Sequence, residues 1–392
     1  WETTLQVTAS APLEEVSSTH ELASVPLNLG IRLDLPSLGD AVRDFTDKIP
    51  LTGSLTLEAR EVQLIGGKTI QSGSLLILSD NLAWDGIQLS GMQLAANVEA
   101  ENLVRLAMDL GLDSRNQIRL AGTFDAGKLR YEGEAGFSVD TKGKLGGVLA
   151  DLHQTDYSGV ASLSWKGSGD LKDKDHRGEA KLDLTSLTVK TGNPISGEVI
   201  AHYENASAIL DTLSLQANGV TLSGSGKWDG KMLELPDWKI THGDKNPLSL
   251  TAMIPLQPGT EGGFLAQTEP FVIDLVVNDL PLEDITGFLV DRPPLAGNLT
   301  GNLKGRGSFP ASDLKAHFDF KPTEISAAGP DSLVRIDFGL LGNLAKPSSW
   351  AASLDSSVAG LRWEGMALEN ITVKTVTDTT IPERPLLTEV RF

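Results

Sequence analysis

The chain has 392 residues, 40% of them hydrophobic but only 5% aromatic, with 40 glycines, 19 prolines and no cysteine. Its net charge of −19 repels phosphate backbones and argues against nucleic acid as a partner, and against docking on anionic lipid through a basic patch. The missing cysteines exclude disulfides and thiolate metal sites, and no apolar run reaches the roughly eighteen residues a membrane-spanning helix needs.

In chain order, the first element with a distinct signature is Ser37 to Ile49. Leu38, Ala41, Val42, Phe45 and Ile49 share one face there, Ser37 is a candidate N-cap and Pro50 ends the segment, which predicts a short amphipathic helix. It follows Asp34-Leu35-Pro36 and leads into the strand-like Thr52-Gly53-Ser54-Leu55-Thr56-Leu57. Turn signals come next at Gly66-Gly67 and Asp85-Gly86.

A repeated phrase then becomes visible: glycine, any residue, an apolar residue, any residue, glycine. Variants stand at 118–124, 163–169 and 220–228, and the clearest is Gly297-Asn298-Leu299-Thr300-Gly301-Asn302-Leu303-Lys304-Gly305. Period two is the side-chain period of a β-strand. The expectation is that apolar residues take one face, with glycine and small polar residues on the other or at strand ends.

Clean alternation predicts further strands over 213–217, 248–256, 314–320 and 334–340. Phe271 to Val277 is apolar on both faces and predicts a strand covered on both sides. Turns are expected at Lys172 to Asp175, Asp229-Gly230 and Gly243-Asp244. Pro281 to Leu289 predicts a second short helix, with Leu282, Ile285 and Leu289 together. It too follows Asp-Leu-Pro and leads through Pro294-Leu295 into a glycine-leucine strand. That echo, and a second between Trp84-Asp85-Gly86 and Trp363-Glu364-Gly365, suggest duplication, with segments 1–190 and 191–392. The start at Trp1 and the strand-like end at 386–392 suggest a fragment of a longer protein.

Chemistry-bearing patterns are sparse. The six histidines, His20, His153, His176, His202, His242 and His317, show no metal-ligand spacing and read as surface residues, His176 in a charged turn. There is no nucleophile elbow, and Gly224-Ser225-Gly226-Lys227 lacks the first glycine of a phosphate loop. The expectation is a protein that is not an enzyme, with no catalytic residue, metal or cofactor.

The stretch from Asn278 to Phe288, followed by Gly297 to Pro310, resembles the AsmA-like superfamily of bacterial envelope proteins, most of all its TamB and YdbH branches. The resemblance implies an all-β fold: an elongated, curled repeat sheet forming an open groove, or β-taco, with one or two short amphipathic helices. It implies a bridge-like conduit carrying phospholipids between inner and outer membranes, in the periplasm. An inner-membrane anchor would lie outside this segment, with inner- and outer-membrane proteins as partners at the ends of the full-length chain.

An aliphatic wall suits such cargo, because each buried methylene contributes about 0.8 kcal/mol and the wall carries no hydrogen-bond donors. Roughly 25 strands at about 4.8 Å would give a groove on the order of 100 Å long. The residues expected to line it against phospholipid acyl chains are Leu55, Leu57, Leu120, Leu182, Leu213, Leu215, Leu222, Leu248, Leu250, Ile254, Ile273, Leu275, Leu299, Leu303, Phe318, Ile336 and Phe338. Taken one at a time, such residues are more often sandwich core than lipid contact, and only a continuous apolar stripe across many strands favours the conduit. Two other classes compete: a TamB-type assembly module adding strands at a sheet edge, without lipid cargo, and a β-helical carbohydrate enzyme or adhesin. The regular rungs of a β-helix are not found.

Overall fold

The computed structural model describes residues 3–11, 26–38, 51–65, 69–84, 87–88, 90–99, 102–113, 115–142, 157–173, 175–189, 193–260, 263–265, 269–282, 297–322, 328–343, 349–363, 366–377 and 386–391. The chain divides into two units, Trp1–Leu187 with Tyr203–Asn205, and Thr188–His202 with Ala206–Phe392.

The first unit holds β1 (Thr4–Ser10), β2 (Leu27–Leu35), β3 (Leu51–Thr52), β4 (Leu55–Ile65), β5 (Thr69–Ser79), β6 (Ala83–Trp84), β7 (Ile87–Gln88), β8 (Gly91–Glu99), β9 (Leu103–Gly111), β10 (Gln117–Asp125), β11 (Arg130–Asp140), β12 (Tyr157–Asp170) and most of β13 (Asp175–Val189). From β1 to β12 its main sheet is an antiparallel meander, each strand pairing with the next, while β3, β6 and β7 form a separate small ribbon.

The second unit holds most of β14 (Ile195–Glu204), then β15 (Ser207–Ala217), β16 (Val220–Trp228), β17 (Met232–His242), β18 (Lys245–Thr260), β19 (Gly263–Leu265), β20 (Pro270–Pro281), β21 (Gly297–Ser308), β22 (Ala311–Pro322), β23 (Ala328–Gly342), β24 (Ala351–Trp363), β25 (Met366–Thr377) and β26 (Leu386–Arg391). It is again an antiparallel meander, in which β18 pairs with both β19 and β20. Within each unit no described strand returns to pair with the first, so each sheet is unclosed.

Short turns explain the meander. In the turn at Asp229-Gly230 the Asp229 carboxylate accepts from the Lys231 and Met232 amides at 2.9 and 2.8 Å, while Gly230 takes φ 91°. Asp170 does the same for Lys172 and Asp173 at 2.9 and 3.1 Å. Both carboxylates sit below their ordinary pKa: for Asp229 the cause is these amide donors, and for Asp170 it is first the Arg130 side chain.

Bulges curl the sheets. Register shifts fall between Leu210 and Leu213, Leu235 and Trp238, and Val277 and Leu280. The residues skipped are Asp211-Thr212, Pro236-Asp237 and Asn278-Asp279, and Asp279 adopts φ 50°. Each shift returns the next apolar side chain to the face that the strand had been presenting.

Four expectations need correction. The repeat phrase places glycine and leucine on the same face, not opposite ones, because both recur at even spacing: Gly301 pairs with Phe318, Leu303 with Ala316 and Gly305 with Leu314. A Cβ at Gly301 would collide with Phe318, and one at Gly305 would lie 2.5 Å from Leu314, so the glycines make room for large side chains of the next strand. Phe271 to Val277 is not covered on both sides, since Phe271 and Val277 are buried while Val272 is 49% exposed on the other face. Pro281 is the last residue of β20, and helical conformation begins one residue later than expected, at Leu282. His176 belongs to β13, half-buried, and not to the preceding turn. The two expected helices, 37–49 and 281–289, otherwise lie outside the described residues apart from helical Leu38 and Leu282.

Candidate functional site

Paired residues in an antiparallel ladder point to the same side, so register decides which side chains share a face. In the second unit one row runs Leu215, Leu222, Ile240, Leu248, Val277, Gly301, Phe318, Ile336, Ser356, Val373, Val390, each residue opposite the next, across eleven strands from β15 to β26. A parallel row passes from Trp238 through Leu250, Leu275, Leu303, Ala316 and Phe338 to Leu354. Leu213 reaches the same face two residues before Leu215, Ile254 opposite Leu233, Ile273 opposite Ala252 and Leu299 opposite Leu280. Ten strand spacings make this face about 48 Å wide along the first row.

The first unit repeats the arrangement. A row leads from Leu5 through Leu33, Leu57, Ile77, Leu94, Met108, Leu120 and Ala135 to Trp165. Leu55 joins it opposite Leu35. Leu182 lies an even step along β13 from His176, whose ring meets Tyr131 on this face. Each unit therefore brings its expected wall residues onto one face.

The opposite face is a ladder of charges. Arg335 grips Asp319 with Nε donating at 2.7 Å and Nη2 at 3.0 Å, and His317 Nδ1 lies 2.6 Å from Asp337. Lys374 meets Asp355 at 2.8 Å, and Arg306 meets Asp313 at 3.5 Å. In the first unit Asp34 accepts from Arg32 at 2.9 Å and from Thr56 at 2.9 Å. The Arg335 side chain holds Asp319 below the ordinary carboxylate range, and the Arg32 side chain does so for Asp34. A concavity of about 690 Å³ on the charged face of the first unit is lined by Asp109, Arg119, Glu134 and Lys166, among others. Among the described residues, no three His, Asp or Glu side chains converge as metal ligands, and no helix is long and apolar enough to cross a membrane.

What covers the apolar face differs along it. In the second unit Val220, Ile240, Val277 and Leu280 are buried, with Leu222, Leu248, Leu275, Leu299 and Phe318 packed around them. In the first unit Leu38 and Leu82 close one end against Leu35, Leu55, Met92 and Leu110. Farther on, Leu106, Leu120, Leu163 and Phe137 stand 48, 43, 42 and 38% exposed on four successive strands.

Sequence reasoning missed one polar feature of this face. Tyr131 Oη and His176 Nδ1 are 3.1 Å apart, their ring centroids 5.8 Å apart. Tyr203 joins them, and burial, then its hydrogen bond with Tyr203, raises the Tyr131 phenol above its ordinary pKa. No spacing signals the trio, because 45 residues separate the first two.

No protein-family model, curated protein or solved structure matches this chain.

Proposed function

We propose that the apolar faces hold phospholipid acyl chains and that the protein is part of a conduit moving phospholipids between the inner and outer membranes of a bacterial envelope. The observation that carries this reading is the shared register of eleven strands, which sets nine apolar side chains, one glycine and one serine in a row on one face, backed by a ladder of ion pairs. A sandwich would cover such a face with a second sheet, whereas the described strands of the second unit follow one another in a single meander. Leu, Ile, Val and Phe offer acyl chains contact area without hydrogen-bond donors, so a lipid moves along the wall without meeting strong local traps. The headgroup stays in water and needs no dedicated pocket. The resemblance to the AsmA-like superfamily supports the same reading, with a periplasmic location, an anchor supplied elsewhere in a longer protein, and membrane proteins as partners at its ends.

Native mass spectrometry of protein purified from a bacterial envelope, followed by lipid extraction, tests this. Bound phospholipid is expected for the unaltered chain and for Leu341→Asp on the charged face. It is expected to disappear from a folded variant carrying Leu250→Asp, Leu275→Asp and Ile336→Asp. A folded, lipid-free unaltered protein contradicts the conduit.

The second reading, an assembly module of the TamB type, draws on β1. Every residue of that strand is exposed, and it pairs only with β2 among the described residues, so its outer edge is free to accept a strand. Lipid-free binding to an outer-membrane barrel protein, abolished by Val7→Pro, favours that reading over the first.

A further inference from the structure

The apolar face of the first unit changes character along β11. At one end Phe137 stands opposite Ile118 on β10 and Leu163 on β12, an aliphatic and aromatic patch open to solvent. At the other end Tyr131, His176 and Tyr203 gather hydroxyl and imidazole groups on the same face. Between them the side chains on that face are Gly133 and Ala135. Gly122 and Gly167 flank Gly133 on the neighbouring strands, and a Cβ at Gly167 would collide with the Trp165 ring, which also lies 3.7 Å from the Cβ position of Gly133. The result is a low floor partly roofed by one indole, apolar at one end and hydrogen-bonding at the other. Six residues of strand separate Tyr131 from Phe137, about 20 Å. One leaflet of a bilayer's hydrocarbon core is about 15 Å deep, so a single acyl chain fits the distance.

We infer that this stretch seats one acyl chain of an amphipathic lipid along β11, with the ester or phosphate end hydrogen-bonded at Tyr131, His176 and Tyr203. The inference rests on the acyl-chain reading above and adds to it a fixed station and an orientation. Elsewhere the wall holds a chain by contact area alone. Here the polar end meets donors and acceptors already half out of water, which favours ester oxygens over bare hydrocarbon and makes this the place where a lipid pauses with its head toward the β10–β11 and β12–β13 turns. Tyrosine and tryptophan suit such a boundary because each pairs a large apolar ring with one polar atom.

Photo-crosslinking separates this station from the general reading. Benzoylphenylalanine replaces Phe137 in one full-length protein and Leu250 in another, and each is titrated with palmitoyl lysophosphatidylcholine, with and without Tyr131→Phe and Tyr203→Phe. Crosslinks at both positions are expected, with the double variant weakening the titration about five- to tenfold at Phe137 and leaving Leu250 unchanged. An unaltered circular dichroism spectrum and an unaltered urea midpoint of the first unit report that the double variant is folded. Crosslinks at Leu250 alone, an unaltered titration at Phe137 in the double variant, or equal weakening at both positions overturn the station while leaving the conduit standing. No crosslink at either position overturns both.

Discussion

Gly301 and Leu303 show how single residues set the two faces. Both point to the apolar side, and Phe318 fills the space that Gly301 leaves empty. Gly301→Val is expected to destabilise the second unit by about 1–3 kcal/mol through overpacking. At Gly136 nothing lies within 4 Å of a new Cβ, so Gly136→Ala is expected to leave stability within about 0.5 kcal/mol. Urea unfolding compares the two. A second contrast separates the faces themselves. Leu280→Ala empties a fully buried site and is expected to cost about 3 kcal/mol, whereas Leu341, 52% exposed on the charged face, is expected to tolerate alanine at under about 0.5 kcal/mol. On that charged face Asp319 titrates below its unfolded value of about 3.9 because Arg335 stabilises the carboxylate. Its contribution is therefore complete above the unfolded pKa and is lost as pH falls through the depressed native one. Arg335→Met is expected to be less stable than the unaltered chain at pH 7, with the gap closing as pH drops below about 3.9. A gap that persists undiminished in acid would show that Arg335 acts through packing and not through charge.

Strands were legible in the sequence wherever alternation was clean, as over 248–256 and 314–320, because period two is a local property. Their phase was not. The pair Asn278-Asp279 carries no glycine, yet it inserts the bulge that turns Leu280 back to the apolar face beside Val277. The same holds for Asp211-Thr212 and Pro236-Asp237. A bulge depends on pairing with a strand distant in sequence, so no local pattern announces it. Deleting Asn278 and Asp279 together sets Leu280 directly after Val277 and is expected to send Leu280 to the charged face and to lower the unfolding midpoint of the second unit. Deleting Asp279 alone, which leaves one residue between Val277 and Leu280 and restores plain alternation, is expected to be milder. Equal damage from both deletions would mean that the bulge serves something other than phase. The face assignment of glycine went astray for a related reason: in a Gly-x-Leu-x-Gly phrase the even spacing places both residue types on one side, and only the partner strand shows why a small residue is needed there.

Across each unit the composition anticipated the chemistry of the wall but not its continuity. The aliphatic residues expected to line a groove, from Leu213 to Phe338 in the second unit, lie on one face because the registers of successive hairpins agree. Alignment across strands is set by turn lengths and bulges, which a single strand's sequence does not contain. The polar station at Tyr131, His176 and Tyr203 was invisible for the same reason, since its members come from three separate strands. A sheet with one apolar and one ion-paired face has a direct signature: lipid contact must alternate residue by residue along each strand. Photo-crosslinking from every position between Val272 and Val276, in protein isolated from a bacterial envelope, measures that alternation. The account predicts phospholipid adducts at Ile273 and Leu275 and none at Val272, Asp274 or Val276. Adducts at all five positions, or at none, would contradict it.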